Sequence, residues 1–174
     1  MQKSYTTLSK YYDLFFQQKD YQAEVGFILE LVKRYKVKTE AILDVGCGTG
    51  THLNLLRDKF KVLYGVDLNK EILAVAKAKI KTATFQNTGM TDFKFDRTFN
   101  VITCLYSVFN YNRDVESATQ TLKNFYRHLT PGGIVIIALY NKRNRDKKTT
   151  LDLGESENGK TKVAKFNYYH YVPK

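Results

Sequence analysis

Three glycines alternate at Gly46, Gly48 and Gly50, directly after the apolar run Ile42-Leu43-Asp44-Val45, and an acid, Asp67, closes the next apolar run, Val62 to Val66. This pattern suits a nucleoside. A glycine turn brings backbone within hydrogen-bonding reach of a ligand where a side chain would block it, and a carboxylate on the next strand can take both hydroxyls of a ribose. The spacing then discriminates between cofactors. A dinucleotide fingerprint carries a further glycine three residues after its second, and Thr51 occupies that place here. Asp44 lies beside the loop, and an acid there suits a cationic ligand better than a pyrophosphate. S-adenosylmethionine therefore fits the pattern better than NAD.

The elements around these residues must carry them to one edge of a sheet. Ala41 to Val45 reads as a first strand, Gly50 opens a helix containing Leu53, Leu55 and Leu56, and Val62 to Val66 reads as a second strand. Asn69 caps the next helix, with Ile72, Leu73, Ala76 and Ile80 on its apolar stripe. Ala83 to Gln86 and Asn100 to Leu105 follow as strands. Asp114 to Leu129 reads as a helix burying Val115, Ala118, Leu122, Phe125 and Leu129, and Thr130-Pro131-Gly132-Gly133 as a turn into a fifth strand, Ile134 to Leu139. Two helices precede the first strand: one with Tyr5, Leu8, Tyr12 and Phe15 or Phe16 at helical spacing, the other from Asp20 to about Tyr35. Near-continuous apolar strands alternating with amphipathic helices predict an α/β fold, with a doubly wound, mainly parallel sheet covered on both faces.

The chain has 174 residues, enough for one domain with a sizeable core. Its longest apolar stretch, Ile134 to Leu139, is far too short to span a bilayer, so no membrane association is expected. Met1 to Lys10 holds no signal-peptide core, and Cys47 and Cys104 form no CxxC pair, so a cytoplasmic setting with neither disulfides nor a metal is expected. The net charge of +11 is one footprint of nucleic-acid binding. The cations are dispersed, however, and read as a solvated basic surface; a nucleic-acid partner is the less favoured alternative. Residues 142–162 are polar and read as a mobile basic loop. Alternation returns from Val163 to Val172, with Ala164, Phe166, Tyr168, His170 and Val172 on one side of a strand that could face the acceptor.

Ile42 to Gly50, Gly65-Val66-Asp67, Thr103-Cys104-Leu105-Tyr106-Ser107 and Leu129-Thr130-Pro131-Gly132-Gly133, in this order, resemble the class I S-adenosylmethionine-dependent methyltransferases. Tyr11-Tyr12-Asp13-Leu14, Lys19-Asp20-Tyr21 and Gly50-Thr51-His52-Leu53 resemble the small-molecule branch that includes amino-sugar N,N-dimethyltransferases. The resemblance implies a Rossmann-like fold in one domain: residues 1–36 as a helical lid, 37–141 as the cofactor-binding core, and 142–174 as the loop and substrate-side strand. It implies that Gly46, Cys47, Gly48 and Gly50 shape the loop under the methionine part, with Asp44 near its ammonium and Asp67 on the ribose. Leu68 would lie against adenine, Gly89 and Met90 at its edge, and the Leu105 carbonyl would hold the amino group. Tyr12 would close over the cofactor and reach its carboxylate. Tyr111 stands where the sugar enzymes carry a histidine, and is the candidate catalytic residue, orienting the acceptor.

The chain departs from that pattern at Gly89, where an acid for the adenine amino group is usual. It also ends before the further helix and two strands that the family carries, so a sheet without its last strands is expected. The fifth strand would be an open edge that a second copy could cover as a homodimer. Methylation of a small molecule at nitrogen or oxygen is the leading expectation. An RNA or protein methyltransferase and a non-catalytic cofactor-binding remnant are the alternatives. Cys104-Leu105-Tyr106-Ser107 is not the Asn-Pro-Pro-Tyr type of motif used on base amino groups. The remaining tempting residues have plain readings: His52 bonds within its own turn, His128 supplies a solvated charge at a helix end, and both cysteines fill the core.

Overall fold

The computed structural model describes residues 11–139, 150–155 and 162–167. Ala41–Val45 forms β1, buried at every position because it is flanked by parallel neighbours on both sides and covered on both faces. The chain enters through α1, Tyr12–Phe15, and α2, Tyr21–Arg34. After β1 come α3, Thr51–Leu56; β2, Val62–Asp67; α4, Lys70–Lys79; β3, Thr84–Asn87; and β4, Phe99–Cys104. A 3-10 turn, Val108–Tyr111, leads to α5, Val115–His128, and β5, Leu129–Ile137. The sheet order is β3-β2-β1-β4-β5, all parallel. The order therefore reverses between β1 and β4, which leaves a crevice at the carboxyl ends of these two strands.

Side-chain alternation along β1 divides the core into two layers. Ile42 packs with Val25, Ile28, Leu53, Leu56, Leu73 and Ile80, the apolar stripes of α2, α3 and α4. Ala41, Leu43 and Val45 pack on the opposite face with Phe93, Phe99, Ile102 and Phe125. Three of these helices, α2, α4 and α5, begin on a side-chain cap. Asp20 accepts the Ala23 amide at 2.8 Å, Asn69 accepts the Ile72 amide at 2.9 Å, and Asp114 and Ser117 form a reciprocal capping box at the start of α5.

Four sequence expectations change. Val115 is 83% exposed and Leu122 is also exposed, so of the predicted apolar face of α5 Phe125 is buried in the core and those two are not. The buried face is Thr121, Asn124, Phe125 and His128. It is polar because it satisfies the irregular chain between β3 and β4: Asn124 Nδ2 donates to the carbonyls of Met90 and Phe93, and the Phe95 amide donates to His128 Nε2 at 3.2 Å. His128 Nδ1 therefore carries the proton and donates to the Asn124 carbonyl, which makes the residue a buried neutral link rather than a solvated charge.

The predicted turn at Thr130–Gly133 lies inside β5. Phe99 pairs with Leu129 and Val101 with Ile134, so the extra residues form a bulge. Finally, Thr150–Glu155 is a strand, β6, in the stretch read as a loop. It pairs antiparallel with β7, Lys162–Asn167, so that Asp152 opposes Lys165 and Leu151 opposes Phe166; the hairpin lies against α1. The expectations at Tyr5, Leu8, Tyr168, His170 and Val172 lie outside the described residues.

Candidate functional site

Gly46, Gly48 and Gly50 hold φ of +72°, +55° and +75°, the left-handed region that side-chain-bearing residues avoid. At Gly46 the surroundings add a second requirement. A Cβ there would stand 2.5 Å from Val108 Cγ1, so the loop after β1 and the 3-10 turn after β4 meet backbone to side chain. The amides of Gly46 and Cys47 both donate to the Val66 carbonyl, at 2.8 and 3.0 Å, which fastens the loop to β2.

The two acids differ in their surroundings. Asp44 is 3% exposed, and Thr103 Oγ1 donates to its Oδ1 at 2.7 Å. Burial pushes its carboxyl above the usual range; the His52 and Lys19 charges and the Thr103 bond offset part of that, while Asp67 adds to it. Asp67 accepts the Gly48 amide on Oδ2 at 2.9 Å and the Asn69 amide on Oδ1 at 2.8 Å. Burial raises this carboxyl too, and the two amides pull it back. The acid expected to grip a sugar is thus aimed by the glycine loop itself.

Cys47 is buried against Gly65, where a Cβ would stand 2.8 Å from its Sγ. Burial pushes the Cys47 thiol well up and the Cys104 thiol up to about 12, so neither is available as a thiolate. Both are core fillers, as expected.

The amino-terminal segment is tied to the loop by residues to which the sequence reading gave no role. Asp13 of α1 accepts from Thr49 Oγ1 at 2.5 Å and pairs with Lys79 Nζ of α4 at 2.8 Å; Lys79 also donates to Thr51 Oγ1 at 3.2 Å. Tyr12 packs on Phe16, and Phe16 stands edge-on to Tyr106 with centroids 5.3 Å apart. His52 does not bond within its own turn: its Nε2 meets Glu24 Oε2 of α2 at 2.7 Å, and its ring packs edge-on to Tyr21. Only the motif containing Asp13 hinted at this contact, because paired polar residues far apart in sequence leave no periodicity.

On the β4 side, Tyr106 and Ser107 adopt left-handed φ of +54° and +61°, and the Leu105 carbonyl accepts the Val108 amide at 3.1 Å. Tyr111 ends the 3-10 turn with its ring exposed. Leu68 is exposed beyond β2, and Met90 is half-buried with its carbonyl taken by Asn124. A Cβ on Gly89 would meet only ordinary contacts, Asp92 Oδ2 at 3.4 Å and Leu68 Cδ2 at 3.5 Å, so packing does not force glycine there.

Residues 42–133 match a family model described as a methyltransferase domain. The chain belongs to this methyltransferase family. Its five-stranded parallel sheet is the Rossmann-like fold of the class I enzymes, and solved methyltransferases superpose on it. DesVI of Streptomyces venezuelae does so with a TM-score of 0.78 at 26% identity, covering 90% of this chain and 79% of that one. The sugar N-methyltransferase KedS8 of Streptoalloteichus gives 0.82 at 28% identity, covering 93% and 66%. In sequence, the dTDP-3-amino-3,4,6-trideoxy-alpha-D-glucopyranose N,N-dimethyltransferase of Streptomyces venezuelae is 34% identical over 128 residues, 72% of this chain and 54% of the relative. The dTDP-3-amino-3,6-dideoxy-alpha-D-glucopyranose N,N-dimethyltransferase of Streptomyces fradiae is 33% identical over 132 residues, 75% and 52%. The methyltransferase chain described here spans about half the length of these curated relatives.

Proposed function

We propose that this chain binds S-adenosylmethionine and passes its methyl group to the amino group of a small acceptor, a nucleotide-linked amino sugar being the class that the named relatives favour. The observation that carries the reading is the bond from the Gly48 amide to Asp67, beside a buried Asp44, under three left-handed glycines. This cradle fits an adenosyl group joined to an amino acid: bare backbone admits the linker, Asp67 takes the ribose hydroxyls, and Asp44 faces an ammonium. The cofactor supplies a sulfonium methyl already activated for in-line displacement. The chain's residues then bind, orient and exclude water, and such alignment is worth about 7–11 kcal/mol. Leu68, Gly89 and Met90 border the adenine, the Leu105 carbonyl accepts from the amino group, and Tyr12 reaches the carboxylate. Tyr111, exposed at the end of the 3-10 turn, orients the acceptor amine.

The same reading sets the chain in the cytoplasm, with a second copy pairing along β5, the last strand of the described sheet. Among the described residues no helix is long and apolar enough to cross a membrane. Calorimetric titration with S-adenosylhomocysteine, followed by mass spectrometry of a dTDP-amino sugar incubated with S-adenosylmethionine, tests the reading. Binding with a mass gain of one methyl group supports it. Absence of binding refutes the cofactor assignment, and binding without transfer refutes the acceptor class.

A further inference from the structure

We infer that the exposed face of α5 seats a second copy of this chain, with the two α5 helices packed antiparallel. This contact deepens the pairing along β5 and rests on it, apart from the cofactor reading. Val115, Thr119, Leu122 and Tyr126 recur at helical spacing and form one stripe along the helix. All four are exposed, Val115 at 83% and Tyr126 at 81%. Thr119 Oγ1 donates to the Val115 carbonyl at 2.7 Å, which spends its hydroxyl inside the helix. A groove of about 440 Å³ lies along the stripe, lined by Thr119, Leu122 and Tyr126 with Lys123 and Arg127. A helix in a folded domain ordinarily turns such a stripe inward, and this one turns Asn124 and His128 inward instead.

Charge selects the occupant. Glu116, Lys123 and Arg127 share one flank of the stripe, the acid toward the start of the helix and the two cations toward its end. Asp92 and Asp114 border a second groove with Glu116 and add to the acidic end. Among the described residues none of Glu116, Lys123 and Arg127 has an ion-pair partner. When two such helices pack antiparallel about a two-fold axis, each flank meets its own copy reversed. The register that sets Val115 on the partner's Tyr126 and Thr119 on the partner's Leu122 also sets Glu116 between the partner's Lys123 and Arg127. A parallel pair would set like charges against each other. The fold favours the same orientation. α5 rests on β5, the last strand of the described sheet, and Asn124 holds the opposite side of the helix against the chain between β3 and β4. Two β5 edges joined about a two-fold axis perpendicular to the sheet run antiparallel, and the helices lying on them do the same.

Sedimentation equilibrium of the full chain, with hydroxyl-radical labelling of Tyr126 read by mass spectrometry, tests the contact. The wild type is expected to dimerise and to shield Tyr126 as it does so. Leu122→Ser and Tyr126→Ser, both at exposed positions, are each expected to weaken the dimer at least about tenfold. Glu116→Lys should weaken it too, and adding Lys123→Glu and Arg127→Glu, which completes the exchange of charges, should regain most of that loss; this set serves if the stripe variants do not fold. A dimer that all these substitutions leave unchanged would overturn the α5 contact and leave the pairing along β5 standing. A wild-type chain that stays monomeric would overturn both. Tyr126 already shielded in the monomer would overturn the α5 contact by giving the stripe to another part of the same chain.

Discussion

The Gly48 amide and the Asp67 carboxylate, 19 residues apart in sequence, are joined by a 2.9 Å hydrogen bond, so the loop after β1 aims the acid at the end of β2. Asp67→Ala removes that bond and the one from Asn69, and leaves two amides to find other partners. S-adenosylhomocysteine affinity is expected to fall at least about tenfold, since a hydrogen bond to a charged group contributes about 1.5–3 kcal/mol. Asp67→Asn, which keeps one acceptor oxygen, should lose less. Calorimetry on both variants checks the order.

Asp44 carries a stability cost. Its folded pKa is raised, so the folded state binds the proton more tightly than the unfolded chain. Stability then falls as pH rises from the ordinary carboxylate value of about 3.9 through the raised one, and stays reduced above it. Asp44→Asn, which can still accept from Thr103 Oγ1, is expected to melt at a higher temperature than wild type at pH 7, and to lose that advantage toward pH 3.5. The same variant should bind S-adenosylhomocysteine more weakly. Melting curves across this pH range, with titrations at pH 7, would separate the two effects; a lower melting temperature at neutral pH would contradict the first.

Two glycines with nearly the same positive φ should respond differently to alanine. Gly132 has φ of +76° and nothing within 4 Å of an added Cβ, so Gly132→Ala is expected to cost only the conformational term, about 1–2 kcal/mol. Gly46→Ala adds the overlap with Val108 and should cost at least about 1–3 kcal/mol more. Urea denaturation of the pair measures the difference.

Asp13 ties α1 to the loop through Thr49 and Lys79, but its side chain is partly exposed, and such a pair is worth about 0–1 kcal/mol. Asp13→Asn is therefore expected to leave the melting temperature nearly unchanged while speeding amide exchange in α1 and the dissociation of S-adenosylhomocysteine. Hydrogen-exchange mass spectrometry and stopped-flow release provide the readouts. A large drop in melting temperature would contradict a local role.

The strands that carry the site were legible because their apolar runs are continuous. Ala41 to Val45 was found to the residue, β2 within one position at its end and β4 within one position at both ends, since buried parallel strands are mostly apolar. The glycine loop and both acids were legible because left-handed turns admit few residues. The face of α5 was misread because Asn124 and His128 are buried for the hydrogen bonds they make, which periodicity counts as polarity. Strand β6 was hidden by its own composition: Asp152 and Glu155 look like loop residues until Lys165 and Lys162 stand opposite them. The contacts of Asp13 and Lys79 cross between distant segments, and no local pattern announces such pairs.

After β1 and β2 the polypeptide runs onward into α3 and α4, but after β4 it doubles back through Tyr106 and Ser107 until Val108 rests on Gly46. The exits of two neighbouring strands are thereby geared to each other at one tooth. A substitution that moves the glycine loop therefore meets Val108 first, and one that moves the turn from Val108 to Tyr111 meets Gly46 first.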